Sequence, residues 1–204
     1  MARKGIWIVA EGIDGAGKST LVQKLIEWFG QRVCTTVRQT SEPTSERYGR
    51  LFQTRMRLHL TGQDDFSFED QIQLLTRDRM THTAMINQWL SDGAVVIQDR
   101  FWPSTLAYQG QKVDVVSLYQ MHQWLFTPGP DLMIWLDTPV KEAVSRLERR
   151  GGKDEFVSML TGAHEIYSWL HDQGNTLRVN GLLAPEDQVR QVVAHLIDNG
   201  MIHL

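Results

Sequence analysis

The sequence predicts an α/β fold of three layers, a five-stranded parallel sheet flanked by helices, and three observations lead there. Apolar runs recur along the whole chain, at residues 5–10, 33–37, 94–98, 132–136 and 176–179. Most are apolar at successive positions rather than at alternate ones, as strands covered on both faces require. Segments of helical period separate them, and strands alternating with helices make a parallel sheet. At 204 residues, 42% hydrophobic and 22% charged, the chain has enough apolar material to fold as one domain over residues 1–204.

The elements follow in order. The first run, Ile6-Trp7-Ile8-Val9-Ala10, leads through a glycine-rich stretch into a helix. In that helix Leu21, Val22, Leu25, Ile26 and Phe29 recur at near-3.6 spacing, and the pattern stops at Gly30. The second run contains the single cysteine, Cys34, so no internal disulfide forms, and the residue reads as a small buried hydrophobe. A helix over 68–90 places Ile72, Leu75, Thr83, Ile86 and Leu90 on one face, with Arg79 among them. An arginine in an apolar stripe either snorkels to its edge or has a partner. After the fourth run, Thr138-Pro139 reads as a helix start, with a threonine cap and a proline at the first helical position. The segment 147–155, LERRGGKDE, breaks the pattern with paired glycines among charges and reads as a short arginine-bearing lid.

Composition excludes several functions. A net charge of −3 leaves no basic footprint for polymeric nucleic acid. No apolar run approaches the roughly 20 residues of a membrane span, and no leader precedes the first strand, so a soluble cytoplasmic protein is expected. The seven histidines show no metal-ligand spacing; His164 and His171, seven apart, read as surface positions of a helix. The seven tryptophans read as core or subunit interface.

Residues 12–19, Gly12-Ile13-Asp14-Gly15-Ala16-Gly17-Lys18-Ser19, fit GxxxxGK[ST] between a strand and a helix, and Thr20 follows. In a loop of this kind backbone N–H groups and a helix N-terminus surround the β-phosphate, Lys18 reaches the β- and γ-phosphates, and Ser19 ligates Mg²⁺. The fold is therefore a P-loop fold that binds a nucleoside triphosphate. The motif does not choose among GTPases, motor ATPases and small-molecule kinases, although the guanine-reading NKxD pattern is absent. The third run ends in Asp99-Arg100, and ligands of open parallel sheets bind beyond the carboxyl ends of the strands. There the pair either forms an ion pair, or Arg100 grips an acceptor phosphate while Asp99 holds the metal or its waters.

EGIDGAGKST after the first strand, Glu42-Pro43-Thr44 after the second, DRFWPSTLAYQG after the third and PDLMIWLDTP beyond it together resemble the thymidylate kinase family of nucleoside monophosphate kinases. The resemblance spans nearly the whole chain. It implies transfer of a phosphoryl group from MgATP to dTMP, with Lys18, Arg100 and a lid arginine, Arg149, as catalytic residues. Residues 12–20 with Arg146 and Arg150 would hold ATP, and Ser19 and Asp99 the metal. Asp14, Glu42, Pro43, Leu75, Arg79, Arg100, Ser104, Tyr108 and Gln109 would hold the acceptor, Asp14 at the sugar 3′-hydroxyl and Arg79 at the base. Family members are commonly homodimers.

Two departures stand out. Ser41 occupies a position where most members have arginine, for which Arg38 or Arg47 would substitute. Leu75 replaces the aromatic that stacks on the base, with Phe101, Trp102 or Tyr108 left to supply that surface. Another pyrimidine acceptor, dUMP, dCMP or a modified base, therefore stays open, as does a nucleotide-binding regulatory ATPase module.

Overall fold

The computed structural model describes residues 4–32, 35–151, 157–174 and 176–202. Five strands form one wholly parallel sheet: β1 Ile6–Glu11, β2 Val37–Ser41, β3 Val95–Asp99, β4 Leu132–Asp137 and β5 Leu177–Asn180, in the order β2-β3-β1-β4-β5. Among the described residues eight α-helices connect and cover it: α1 Lys18–Gly30, α2 Arg47–Leu60, α3 Phe68–Ser91, α4 Trp102–Tyr108, α5 Val115–Leu125, α6 Val140–Arg149, α7 Leu160–Asp172 and α8 Pro185–Asp198. Helices α1 and α8 pack together, while α3, α4 and α7 follow one another in contact. Among the described residues no helix is long and apolar enough to cross a membrane.

The central strand β1 is buried throughout, and Trp7 and Phe101 meet edge to face at 4.9 Å. Helix α1 buries Leu21, Val22, Leu25 and Phe29, the stripe its period predicts. Strands β1, β3, β4 and β5 each run one residue beyond the apolar run that announces them, into Glu11, Asp99, Asp137 and Asn180. Each added residue is polar and so falls outside an apolar pattern, whereas ladder hydrogen bonds are indifferent to the side chain. The result is a row of polar groups along the carboxyl edge of the sheet.

The second strand lies later than its apolar run suggests, at Val37–Ser41 instead of 33–37. It is an edge strand with mostly exposed side chains, and an edge strand has no need of a continuous apolar sequence. Its register, Ser41 beside Asp99, delivers Glu42 to the same edge as the phosphate loop. Cys34 lies outside the described residues, as do 152–155 of the expected lid.

The start of α6 differs too. Pro139 is the capping residue and Thr138 makes no cap; its buried hydroxyl donates instead to the Ala16 carbonyl, 3.0 Å away. Tertiary competition for the hydroxyl overrides the local signal. His164 and His171 are half-buried, their rings 5.5 and 5.7 Å from that of Trp135, because α7 lays them against the sheet. The tryptophans divide: Trp7, Trp102 and Trp135 are buried, whereas Trp124 on α5 is 80% exposed.

Candidate active site

The phosphate loop is shaped by backbone constraints that glycine alone meets comfortably. Gly12 has φ +145°, and a Cβ there would stand 2.8 Å from the Leu136 carbonyl oxygen. Gly15, at φ +79°, would drive a Cβ into the carbonyl of Ala143. Two donors brace the loop from outside: Thr138 and Arg146 Nη1, the latter at 2.9 Å, both reach the Ala16 carbonyl. Arg146 also donates through Nε to Glu142 at 2.8 Å and through Nη2 to the Gly181 carbonyl at 3.0 Å, tying the loop to the turn after β5.

Lys18 opens α1 and is buried, and its Nζ donates to the Ile13 carbonyl at 2.8 Å. Burial, aided by the Arg100 charge, lowers its pKa to about 8 against the pull of Asp14, Asp99 and Glu11. Among the described residues the ammonium thus has no anionic partner at hydrogen-bond distance, and a bound triphosphate would supply one. Because the folded-state pKa is depressed, raising pH through about 8 strips the proton from the free protein. The kcat/KM for ATP, which reports free-enzyme ionisations, should fall above about pH 8, while kcat holds to higher pH. A pH profile of both parameters checks this.

Ser19 Oγ donates to Asp99 Oδ2 at 2.8 Å, and Asp99 Oδ1 is buried with no hydrogen-bond partner among the described residues. A buried, unpaired carboxylate oxygen beside a hydroxyl, facing a phosphate loop, suits a hard divalent cation. These residues fit Mg²⁺.

Across the crevice Arg100 pairs with Asp14 through Nη2 and donates to Ser104 Oγ through Nη1 at 2.9 Å. The Tyr108 hydroxyl donates to Asp14 Oδ2 at 2.7 Å and accepts from the Asp14 N–H at 3.0 Å. Burial alone would raise the Asp14 pKa, but Arg100 and Lys18 outweigh it and hold the carboxyl below its ordinary value.

Arg79 is 2% exposed and does not snorkel. Its Nε donates to Glu42 Oε2 at 2.7 Å, Nη1 to Thr105 Oγ1 at 3.2 Å and Nη2 to the Phe101 carbonyl at 3.2 Å. His82 Nδ1 donates to the other Glu42 oxygen at 2.9 Å, and its Nε2 meets the Thr40 hydroxyl at 2.6 Å. Asp78 accepts from the Thr44 N–H and hydroxyl and from the Gly49 N–H, at 2.8, 2.5 and 3.0 Å, which pins the loop after Glu42-Pro43.

Several of these groups line two adjoining cavities, while Asp78 and His82 stand behind them. One, about 240 Å³, is bounded by the phosphate loop with Lys18, Ser19, Asp99 and Arg150. The other, about 170 Å³, lies between Arg79, Leu75, Tyr108 and Gln109 on one side and Phe52 and Met56 of α2 on the other. Asp14, Glu42 and Arg100 line both. A larger cavity, about 840 Å³, sits by the N-terminal ends of β4 and β5 and shares none of these residues.

A family model described as thymidylate kinase matches residues 10–192. This chain belongs to the thymidylate kinase family. It is 33% identical to a probable thymidylate kinase of Pyrococcus abyssi over 98% of this chain and 100% of that one. It is 36% identical to a thymidylate kinase of Akkermansia muciniphila over 83% and 81% of the two chains. To a probable thymidylate kinase of Thermococcus kodakarensis it is 40% identical over 74% and 75%.

Set beside the sequence reading, the fold brings residues 12–20, Asp99 and Arg100 together, with Glu42, Pro43, Leu75, Arg79, Ser104, Tyr108 and Gln109 alongside. Arg38 and Arg47 line neither cavity; they lie over Trp89 and Tyr48, and Ser41 itself lines the phosphate side. Trp102 faces the distant large cavity, so of the three aromatics suggested near Leu75 only Phe101 and Tyr108 line the acceptor side. Arg150 lines the phosphate cavity, whereas Arg149 is exposed and pairs with Glu142 at 3.2 Å. Sequence reading missed Phe52, Met56, Asp78, His82 and Thr105. Asp78, Arg79 and His82, at positions i, i+1 and i+4 of one helix, carry a periodic signal that an apolar stripe alone hides.

Proposed function

We propose that this protein, acting as one kinase domain over residues 1–204, transfers the γ-phosphoryl group of ATP to the 5′-phosphate of dTMP, yielding dTDP. The observation that carries the reading is the pair of cavities meeting at Arg100, one built around a phosphate loop and one around a buried arginine and amides. A switch or regulatory ATPase has no use for the second cavity.

The acceptor oxygen needs no general base, since a phosphate monoester is largely dianionic near neutrality, its second pKa being about 6. The residues therefore position and neutralise. Lys18 leaves the Ile13 carbonyl for the donor's β- and γ-phosphates, and Arg100 bridges toward the acceptor phosphate. Ser19 and Asp99 would hold Mg²⁺, whose charge neutralises the donor phosphates. Asp14, already held by Tyr108 and Arg100, accepts from the sugar 3′-hydroxyl.

Base choice follows from hydrogen-bond polarity. Gln71 donates to the Phe66 carbonyl at 2.9 Å, so its amide oxygen must be the group that accepts from Gln109 Nε2 at 3.0 Å. That orients Gln109 with its oxygen as the remaining acceptor, suited to the N3–H of thymine and opposed to the unprotonated N3 of cytosine. Phe52, Met56 and Leu75 give the cavity its apolar wall, suited to the 5-methyl group. One methyl in an apolar pocket discriminates by about 10-fold or more, which sets dTMP above dUMP. The absence of an aromatic at Leu75 favours testing dUMP and dCMP beside it.

A coupled ADP-release assay across nucleoside monophosphates tests the reading, with dTMP-stimulated turnover expected. Hydrolysis indifferent to every acceptor would refute it. In the same assay Arg149→Ala and Arg150→Ala assign the catalytic lid arginine. The sequence favours Arg149, the placement on the cavity favours Arg150, and the true one costs about 10³-fold in kcat or more. Exposed Leu51, Leu58, Met80 and Met85 on α2 and α3 support a homodimer, and a cytoplasmic location accords with the nucleotide substrates.

A further inference from the structure

Among the described residues Arg100 is the one non-glycine residue with positive φ, +70°. A side chain bearing a Cβ occupies that region only where its surroundings over-determine it, and here three hydrogen bonds do so. The Arg100 N–H donates to the Ala10 carbonyl at 3.0 Å, its carbonyl accepts from Gln98 Nε2 at 2.8 Å, and the next N–H, of Phe101, donates to Glu11 Oε1 at 2.5 Å. Gln98 is itself fixed by the Trp7 indole at 2.9 Å.

Glu11 is fully buried and lines neither cavity of the site. Its second oxygen accepts from the Ser104 hydroxyl at 2.8 Å and the Tyr167 hydroxyl at 2.7 Å. Ser104 Oγ in turn receives Arg100 Nη1 at 2.9 Å. One carboxylate therefore holds Arg100 at both ends, its backbone through Phe101 and its guanidinium through Ser104, and α7 straps that carboxylate in place through Tyr167.

We propose that Glu11, secured by Tyr167, is a positioning residue for phosphoryl transfer, holding Arg100 in the left-handed backbone conformation that turns its guanidinium across the crevice to Asp14. Without Glu11 the turn relaxes toward negative φ and the guanidinium leaves the point where the two cavities meet. Burial pushes the Glu11 carboxyl above its ordinary pKa, against the pull of Arg100 and of its hydrogen bonds, so the carboxyl sits there at an electrostatic cost. Such a cost suits a positioning role better than a packing one. The proposal rests on the kinase reading, which wild-type transfer to dTMP checks separately.

The test is a double-mutant cycle of Glu11→Gln with Arg100→Ala, read as kcat and both KM values. Glu11→Gln alone is expected to lower kcat by roughly 10- to 100-fold, as misplacement by about 1 Å does, with the KM for ATP within about twofold of wild type. In the Arg100→Ala background the same change should add less than about twofold. Equal losses in both backgrounds, or a parallel rise in the KM for ATP, would overturn the proposal. Should Glu11→Gln fail to fold, Tyr167→Phe removes one donor and keeps the ring; its smaller loss must likewise vanish in the Arg100→Ala background, and persistence there counts against the proposal.

Discussion

Lys18→Ala is expected to lower kcat by about 10³-fold or more with every acceptor, and to leave the protein folded. The magnitude is that of removing a cation from a transferring phosphoryl group in a site where catalysis is mainly positioning and charge neutralisation. The neighbouring arginines have work of their own: Arg146 is committed to Glu142, Ala16 and Gly181, Arg100 to Asp14 and Ser104, and Arg150 lines the phosphate cavity from the end of α6, outside the loop. Stability is spared because the buried ammonium is disfavoured in the free fold, as its pKa of about 8 records. A pKa depressed below the unfolded value means that charged Lys18 opposes folding below about pH 8, an opposition that fades as pH rises toward 10.5. Alanine removes that opposition along with some packing. Thermal melts with and without ATP, beside the ADP-release assay, check both halves; a variant retaining transfer within tenfold would remove Lys18 from its assigned role.

Arg79→Ala is expected to raise the KM for the acceptor roughly 10- to 100-fold, the worth of a hydrogen bond to a charged group, and to blur the choice of base. It should also cost about 3–5 kcal/mol of stability, because Glu42 would remain buried with His82 as its one remaining partner of that pair. The two effects separate in Arg79→Met combined with Glu42→Gln. Removing both charges should recover much of the stability, measured by urea denaturation, while the acceptor KM stays high. Unchanged base selectivity in Arg79→Ala would show that this helix face serves the fold alone.

The double duty of Arg79 marks the limit of what the chain discloses in one dimension. Its place in the apolar stripe of α3 is plain from spacing, and that an arginine there needs company follows at once. Which company it keeps does not follow, since Glu42 lies 37 residues away and Thr105 lies 26. Phe52 and Met56 went unseen for a related reason: their helix, α2, has no apolar stripe that announces a site, and only its packing on α3 turns these two side chains toward the acceptor. Thr138 shows the reverse error. Its local signal for a helix cap was sound, but the Ala16 carbonyl, 122 residues earlier, claimed the hydroxyl.

By itself the sequence determined the parallel α/β layers, the phosphate loop, the Asp99-Arg100 strand end and the family, because each is written in local periodicity, turn chemistry or contiguous motif. Tertiary structure alone decided how the functional groups are held. Glu11 and Tyr167 stand 156 residues apart, and their hydrogen bond leaves no trace in spacing. The left-handed backbone of Arg100 is likewise no property of an Asp-Arg-Phe tripeptide. It exists because a buried carboxylate, an amide and a strand carbonyl converge on one turn, and only the folded sheet brings them there.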